Sequence, residues 1–373
     1  MCACDLRLNG VFVQIEAGKY LEMFWGSDLA QVVREDSDKG VANRASTPAS
    51  LDEVGSRTQK NYSIASTANN SLASVTVGVC VKDSERTIQA TLESIIRQTY
   101  PSNILELIIV DGASKDNTVS VIEKTLLTAN QRARMFSDEG KGLGVASQIV
   151  MTNVSSKYVI FVGADVILPE CFVIDEVEFM ERNERVGCAV GRYKYESGGP
   201  LIAAAQDFYR YLIEEVWGDA SVKGAAIFRV QAVKEAGGFD EGMKGAAEDN
   251  DLLIRLLGHG WVCTANPKAW FRHRSRQGVK EFIREYVWYG YGDHYYAHKH
   301  GIVLRSRFPI MTLVDLMSLA STGYGISHER RALLMPFVMG LGKTVWWFGF
   351  LRAHLDGYGH VFAHRQRSGD TRA

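Results

Sequence analysis

The sequence of 373 residues has no surplus of either charge: 42 Lys and Arg stand against 43 Asp and Glu, a formal net charge of -1. No long single-sign block appears, so there is no electrostatic footprint for nucleic acid, and none is expected as a partner. Cysteine is scarce and unpatterned. Of Cys2, Cys4, Cys80, Cys171, Cys188 and Cys263, only the first two are closely spaced. A disulfide framework is therefore not what holds the chain together, and a reducing, cytoplasmic compartment is expected. The N-terminus shows no basic stretch leading into an apolar run, so no secretory signal is read. Large apolar residues nearly vanish between Asp36 and Ser74, where Ser, Thr, Ala, Asn and charged residues dominate. Such a segment buries too little to offset chain entropy, and residues 1–73 read as a poorly structured segment or linker. Within it, Met1–Leu29 holds Val11, Phe12, Val13, Leu21, Phe24 and Trp25, enough for a short local element.

What is present begins at Val75. Val75–Val81 is an apolar, β-branched run followed by a turn and cap signal at Lys82-Asp83-Ser84. Ile88, Leu92, Ile95 and Ile96 then recur at helical spacing up to Pro101. Leu105–Val110 reads as a second strand ending in Asp111-Gly-Ala-Ser-Lys-Asp-Asn-Thr118, with a second helix carried by Val119, Ile122 and Leu126. A short strand at Arg134–Phe136, a glycine-rich turn at Gly140–Gly144 and a helix to about Asn153 lead into Tyr158–Pro169. Strand and helix alternate three times into a fourth strand, which argues for a mostly parallel, Rossmann-like α/β sheet with ligands at the carboxyl ends of its strands.

Tyr158–Pro169 reads Y-V-I-F-V-G-A-D-V-I-L-P, a buried strand that breaks at Gly163 and delivers one acid, Asp165. An ionised carboxylate among such neighbours needs a cation or donors. It suits a metal or a polar ligand, or it caps the next turn. The same rim receives Lys82 and Asp83, Asp111 and Lys141. Further on, Phe172–Met180 and Leu201–Trp217 read as helices and Val186–Val190 as a strand, with a turn at 195–200 between them. Gly224-Ala-Ala-Ile-Phe-Arg229 and Gly237-Gly-Phe-Asp240 follow. Glu248-Asp-Asn-Asp-Leu252 opens a helix through Leu257, and Trp261–Ala265 is a strand leading to Phe271-Arg-His-Arg274.

Val75–Val81 with its helix, I-I-V-D-G-A-S-K-D-N-T at 108–118, G-A-D at 163–165, G-G-F-D at 237–240 and E-D-N-D-L at 248–252 come in an order and spacing that resembles family 2 glycosyltransferases of the GT-A fold. The resemblance covers about Ser74–Arg274. It implies an inverting transfer of one sugar from a nucleotide-diphosphate sugar to a glycan or lipid-linked acceptor. Donor contacts are implied at Val81, Lys82, Asp111, Lys141, Gly142, Ala164 and Asp165, with Asp111 at the position that hydrogen-bonds the nucleobase. Asp165 matches the last acid of the family's D-x-D, which carries Mg2+ or Mn2+. His273 falls where some members place a further metal ligand. Asp249 matches the general base, with Glu248 and Asp251 in the acceptor region. Other readings of the same residues stand beside these. Asp111 suits an Asx-turn with Ser114 or Lys115, Lys141 a solvated loop, Asp249 an ordinary helix cap, and His273 a surface or phosphate contact.

Two departures from the pattern matter. The first acid of D-x-D is Gly163 here, which leaves open a nucleotide-sugar binder or membrane scaffold without turnover. The Q-x-x-R-W signature of processive synthases is absent, so single-sugar addition is expected. The glycine-rich loop of a nucleotidyltransferase does not follow Val75–Val81. Gly340-Leu-Gly-Lys-Thr344 is no phosphate loop either, since Phe337 stands where a glycine is required.

The tail, 276–373, is expected to be a helical extension of the 74–275 domain. Trp288, Tyr289, Tyr291 and Tyr295 are rings of the kind enriched at membrane interfaces. Ala332–Leu351 runs twenty residues with Lys343 as its only charge, and Phe308–Ile326 is similar around Asp315. Pro336 and the glycines favour core packing or an in-plane anchor at the inner face of a membrane over a span. His294 and His298 have the helical spacing of a zinc pair, yet no Glu follows the first, and they read as part of an aromatic face.

Overall fold

The structure, a computed structural model, describes residues 7–8, 11–12, 72–129, 131–194, 201–217, 224–273, 278–301, 316–317, 320–321, 324–325 and 330–362. Arg7–Leu8 and Val11–Phe12 pair antiparallel in a unit ending at Leu72. The expected linker from Asp36 and the turn at 195–200 lie almost wholly outside the described residues. A second unit, Ala73–Ala373, holds the sheet.

It opens with β1 (Val75–Val81), α1 (Ile88–Ile96), β2 (Leu105–Asp111), α2 (Thr118–Leu127), β3 (Ala133–Ser137), α3 (Leu143–Asn153) and β4 (Tyr158–Val162). It continues through β5 (Val166–Ile167), α4 (Phe172–Arg182), β6 (Val186–Tyr193), α5 (Leu201–Trp217), β7 (Ala225–Arg229), α6 (Val230–Glu235), α7 (Glu248–Gly258) and β8 (Val262–His273). The eight strands lie in the order β3-β2-β1-β4-β7-β6-β8-β5. Pairing is parallel from β3 to β4 and between β6 and β8, and antiparallel elsewhere. The chain moves outward from β1 to β3 and then returns to the other side of β1, which makes β1/β4 a switch point of the kind where open α/β sheets bind ligands.

Residue parity explains why these runs are apolar on both faces. Leu105, Leu107 and Ile109 of β2 join Val75, Val77 and Val79 of β1 under α1 and α4. Ile108 and Val110 point the other way, into a core with Val150 of α3, Phe228, and Leu252 and Leu256 of α7. Each fully buried side chain of this size contributes roughly 1.5–3 kcal/mol. Gly78 lets α3 sit close on β1, since a Cβ there would lie 2.7 Å from Val150 Cγ1.

Two further helices, α8 (Val279–His300) and α9 (Met335–Leu355), pack on each other and on α5 around Phe208, Phe282, Tyr286, Met335, Met339 and Trp346. Gly342 and Gly349 of α9 and Gly290 of α8 are their contact surface. A Cβ on Gly342 would lie 2.7 Å from the Tyr286 ring, and one on Gly290 or Gly349 would run into the carbonyls of Trp346 or Val287. Gly340–Thr344 is thus helix interior. The opposite face of α9 leaves Phe337, Leu341, Phe348, Leu351 and Leu355 exposed.

Candidate active site

The carboxyl ends of β1, β2 and β3 are in register, Val81 opposite Asp111 and Asp111 opposite Ser137. Val81 is buried, whereas Lys82 is exposed at the rim. Asp111 is buried and divides its carboxylate between two tasks. Its Oδ2 accepts the Ser114 N–H at 3.1 Å, an Asx-type turn, while Oδ1 is buried without a hydrogen-bond partner. A buried acceptor left open at a strand end is a place for a ligand donor. The loops on either side are tied by carboxylates: Asp83 Oδ1 accepts the Lys115 N–H at 2.8 Å, and Asp116 Oδ1 accepts the Thr118 N–H at 3.0 Å.

The glycine-rich turn is held by Asp138, which sequence reading passed over. Its Oδ1 accepts the Gly140 N–H at 2.7 Å and its Oδ2 the Gly142 N–H at 3.2 Å. Gly142 has φ +119, and a Cβ there would lie 2.6 Å from Lys244 Cα. The turn therefore rests backbone to backbone on the segment leading to Glu248. Lys141 is exposed and pairs with Glu139 at 2.7 Å, an ion pair that raises its pKa.

Asp165 follows β4, after Gly163 and the half-buried Ala164, and β8 brings His273 beside it. Asp165 Oδ1 and His273 Nε2 are 3.3 Å apart. Two ligands at 2.0–2.1 Å from one octahedral ion stand about 3 Å apart, so this spacing and the part-exposed carboxylate fit a hard divalent cation. His273 complicates its own share. Arg210 Nη1 lies 3.3 Å from His273 Nδ1, and a guanidinium can only donate. The proton of the neutral ring then sits on Nε2, toward Asp165. As placed, His273 positions Asp165 and offers no lone pair to an ion. Burial holds its pKa below the ordinary value against the pull of Asp165, and Arg210 adds to the lowering. Arg210 is itself held by Glu285 of α8 at 3.1 Å.

The E-D motif starts α7 from Ala247, which has φ +78. Glu248 is buried and Asp249 half-buried, and both titrate above the usual carboxylate range. Burial raises Glu248 well above its ordinary value, with Asp249 adding to it. Burial likewise pushes Asp249 up to about 6, partly offset by the Asn250 N–H that its Oδ1 accepts at 2.7 Å. Burial pushes the Cys80 thiol of β1 up to about 12, and Glu248 and Asp138 both add to that rise.

Asp251 does not belong with them. It is fully buried, with Arg255 Nη2, Lys299 Nζ and His300 Nε2 each 2.7 Å from its carboxylate. Burial alone would raise its pKa, but these partners hold it well below the usual range. An acid so enclosed cannot meet an acceptor; its work is to fasten α8 to α7.

A sheet of this order with an acidic rim at its switch point defines a GT-A transferase fold. The model for Glycosyl transferase family 2 matches residues 76–234. Over 276 residues the chain is 22% identical to a dolichyl N-acetyl-alpha-D-glucosaminyl phosphate 3-beta-D-2,3-diacetamido-2,3-dideoxy-beta-D-glucuronosyltransferase of Methanococcus voltae, covering 70% of this chain and 85% of that one. Over 208 residues it is 24% identical to the poly(ribitol-phosphate) beta-N-acetylglucosaminyltransferase TarS of Staphylococcus aureus, covering 52% of this chain and 35% of that protein. A mannosyltransferase from Pyrobaculum calidifontis, solved in complex with GDP-Man and Mn2+, superposes with a TM-score of 0.55 at 18% identity, covering 76% of this chain and 88% of that one. At that identity the likeness is one of fold. Residues 76–234 thus carry a glycosyl transferase family 2 domain, and these relatives are glycosyltransferases.

Proposed function

We propose that the enzyme moves one sugar from a nucleoside-diphosphate sugar to a hydroxyl of a lipid-linked or polymeric acceptor, or to a lipid phosphate, with inversion. The observation that carries this reading is the set of three acids, Asp111, Asp165 and Asp249, each with a different capacity left over. Asp111 Oδ1 accepts a donor group of the nucleobase. Val81, Lys82, Gly142 and Ala164 line the same rim, with Lys82 free to approach the diphosphate. Asp165 would hold Mg2+ or Mn2+ as the carboxylate ligand this rim supplies, Gly163 offering none. The ion, when bound, neutralises charge on the departing diphosphate. His273 would add a ligand only in its Nδ1–H tautomer, which requires Arg210 to give up its contact with Nδ1.

Asp249 is the base. It takes the proton of the acceptor hydroxyl as that oxygen bonds to the anomeric carbon. The carbon–oxygen bond to the diphosphate breaks on the opposite face, and its electron pair leaves with the nucleotide. A pKa of about 6 leaves Asp249 ionised at neutral pH yet basic enough to accept a proton. The names of two relatives bear on the acceptor, since one acts on a dolichyl-linked sugar phosphate and the other on poly(ribitol-phosphate).

A lipid-linked acceptor suits the exposed face of α9. Ala332–Leu355 is long and apolar enough to cross a membrane by length and composition, but 39% of its most apolar window is buried on the protein. A helix packed on one side and apolar on the other lies in the plane of an interface. Calorimetry with UDP- and GDP-sugars, with and without Mn2+, tests the donor site. Wild type should bind one donor in a Mn2+-dependent way and Asp165→Ala should not. Equal Mn2+ dependence in both would remove Asp165 from the metal site. Binding without turnover for every acceptor tried would return the non-catalytic reading.

A further inference from the structure

Four histidines meet where the chain after α9 returns to α8. His294 and His298 lie one turn apart on α8, His354 is in the last turn of α9, and His360 follows in the hook beyond it. One nitrogen from each falls within 4.8 Å of all the others. His294 Nε2 is 3.3 Å from His354 Nδ1, and that atom is 3.1 Å from His360 Nε2.

The tautomer of His294 is fixed by its surroundings. Its Nδ1 lies 2.6 Å from the Tyr358 carbonyl, which can only accept, so Nδ1 carries the ring proton. Nε2 then turns its lone pair on His354. A carbonyl that orients an imidazole in this way is the usual companion of a histidine ligand. His354 Nδ1 has two nitrogen neighbours and at most one proton, which cannot be aligned with both. A single cation resolves the crowding. Nitrogens about 2.0–2.1 Å from a tetrahedral ion stand about 3.3–3.4 Å from one another. The wider separations close by rotation of rings that reach the surface, His354 being exposed and His298 and His360 half-buried.

The backbone is shaped for this meeting. Gly357 and Gly359 have φ +69 and +90 and turn the chain back onto α8. A Cβ on Gly359 would lie 3.0 Å from Tyr295 Cα. The donor set is imidazole alone, with no carboxylate, which suits zinc, cobalt, nickel or copper and not Mg2+ or Mn2+.

We propose that His294, His298, His354 and His360 form a structural site for one divalent ion of the zinc class, which pins the hook after α9 onto α8. The hook has a task to justify the pin. Tyr358 stacks on both Tyr291 and Tyr295, with ring centroids 4.7 Å apart in each pair. Its hydroxyl accepts the Lys244 N–H at 2.7 Å and donates to the Gly242 carbonyl at 3.1 Å. That segment carries the Gly142 contact and runs on to Asp249. The ion thus braces one wall of the transferase site without touching substrate.

Co2+ titration of the chelator-stripped full chain tests the site. One equivalent should give the intense visible bands of a tetrahedral ion, displaced by Zn2+, in wild type and equally in Asp165→Asn. The His354→Ala/His360→Ala double variant should lose the bands, and Zn2+ should raise the Tm of the first two proteins but not of the third. A wild type without tetrahedral bands overturns the proposal, as do bands that persist in the histidine variant. Bands lost only in Asp165→Asn overturn it too, by placing the ion at the donor rim. Should the double variant not fold, His354→Gln at its exposed position serves instead. It must weaken Co2+ at least about tenfold, and unchanged affinity refutes the site.

Discussion

The loops at the ends of β1–β3 and the turn before α7 both present acids to one rim, but they are built differently. The first are fastened from within: Asp83, Asp116 and Asp138 accept backbone N–H groups of neighbouring turns. The second is fastened from a distance. A Cβ on Gly245 would lie 2.8 Å from Gly292 of α8, and one on Gly292 would collide with the Ala246 carbonyl. Asp251 then clasps Lys299 and His300 of the same helix. Carboxylates shape the loops around Asp111, whereas helix α8, pressed against the chain, shapes the turn that carries Asp249. Removing an acid should therefore loosen the first, and filling a glycine should displace the second.

The largest effect is expected at Asp249, where both the chemistry and the remote support converge. Asp249→Asn keeps size and the Asn250 contact but removes the proton acceptor, so transfer should fall by ~10²–10⁴-fold. Donor affinity should stay within a few-fold, measured by calorimetry beside single-turnover rates. In wild type the rate should rise with pH through about 6, the value to which burial pushes this carboxyl. Stability should move in the opposite sense. A folded-state pKa above the unfolded one binds the proton more tightly in the native protein. That stabilisation is complete below the unfolded value of 3.8 and is lost as pH rises through about 6. The Tm of Asp249→Asn relative to wild type should accordingly be higher at pH 8 than at pH 4. A variant that turns over within a few-fold of wild type would leave Asp249 a helix cap.

Next in size is Gly292→Ala, which drives a methyl group into the backbone of Ala246, two residues before Glu248. Overpacking of this kind costs about 1–3 kcal/mol, readable in urea unfolding, and transfer should fall with it. Gly258, the last residue of α7, has nothing within 4 Å of a Cβ. Gly258→Ala should be neutral or slightly stabilising, by no more than about 1 kcal/mol. If the two alanines behaved alike, the backbone contact with α8 would not be what holds the turn.

On the donor side the expected loss is smaller. Asp138→Ala frees the N–H groups of Gly140 and Gly142, each a charge-assisted bond of roughly 1.5–3 kcal/mol at most, and water replaces part of that. Donor affinity should weaken several-fold while the rate with bound donor changes little. A change in rate without a change in affinity would show that the glycine turn acts on the acceptor side.

The same division governs what could be read without coordinates. Strands and helices up to β4 follow from apolar runs, and Leu201–Trp217 is the helix its periodicity describes. The cap read at Lys82-Asp83-Ser84 is not that of α1, which starts after Thr87 with no side-chain cap bond. β8 runs on to His273, beyond the stretch whose pattern reads as strand, because Asn266-Pro-Lys breaks the pattern at an irregularity in the register. β5, at two residues, is too short to show a period. Asp165 and Asp249 stand out because each breaks an apolar run or opens a helix. Asp138, Arg210 and Glu285 stand in no such pattern, and their roles come from partners brought close by the fold. Asp251 is legible as a first-turn acid, but not as one buried under Lys299 and His300. The four histidines show the limit most plainly. His294 and His298 look like an aromatic face until His354, 60 residues on, is folded against them.

The smallest effect on the folded protein is expected on the outer face of α9. Phe337 and Phe348 are 76% and 66% exposed and contribute little to the packed side. Phe337→Ser with Phe348→Ser should shift stability by no more than about 0.5 kcal/mol for each site. Transfer to a water-soluble acceptor should be unchanged, because neither ring touches the rim or the α8 contacts that hold Asp249. Binding to lipid vesicles is another matter, since burying one such ring in an acyl layer contributes roughly 1.5–3 kcal/mol. Losing two should lower vesicle partitioning by at least tenfold in co-sedimentation, together with transfer to a lipid-linked acceptor in the same vesicles. If partitioning is unaffected, α9 is not the element that meets the membrane. If partitioning falls and transfer to the vesicle-borne acceptor does not, the helix anchors the enzyme without presenting its substrate.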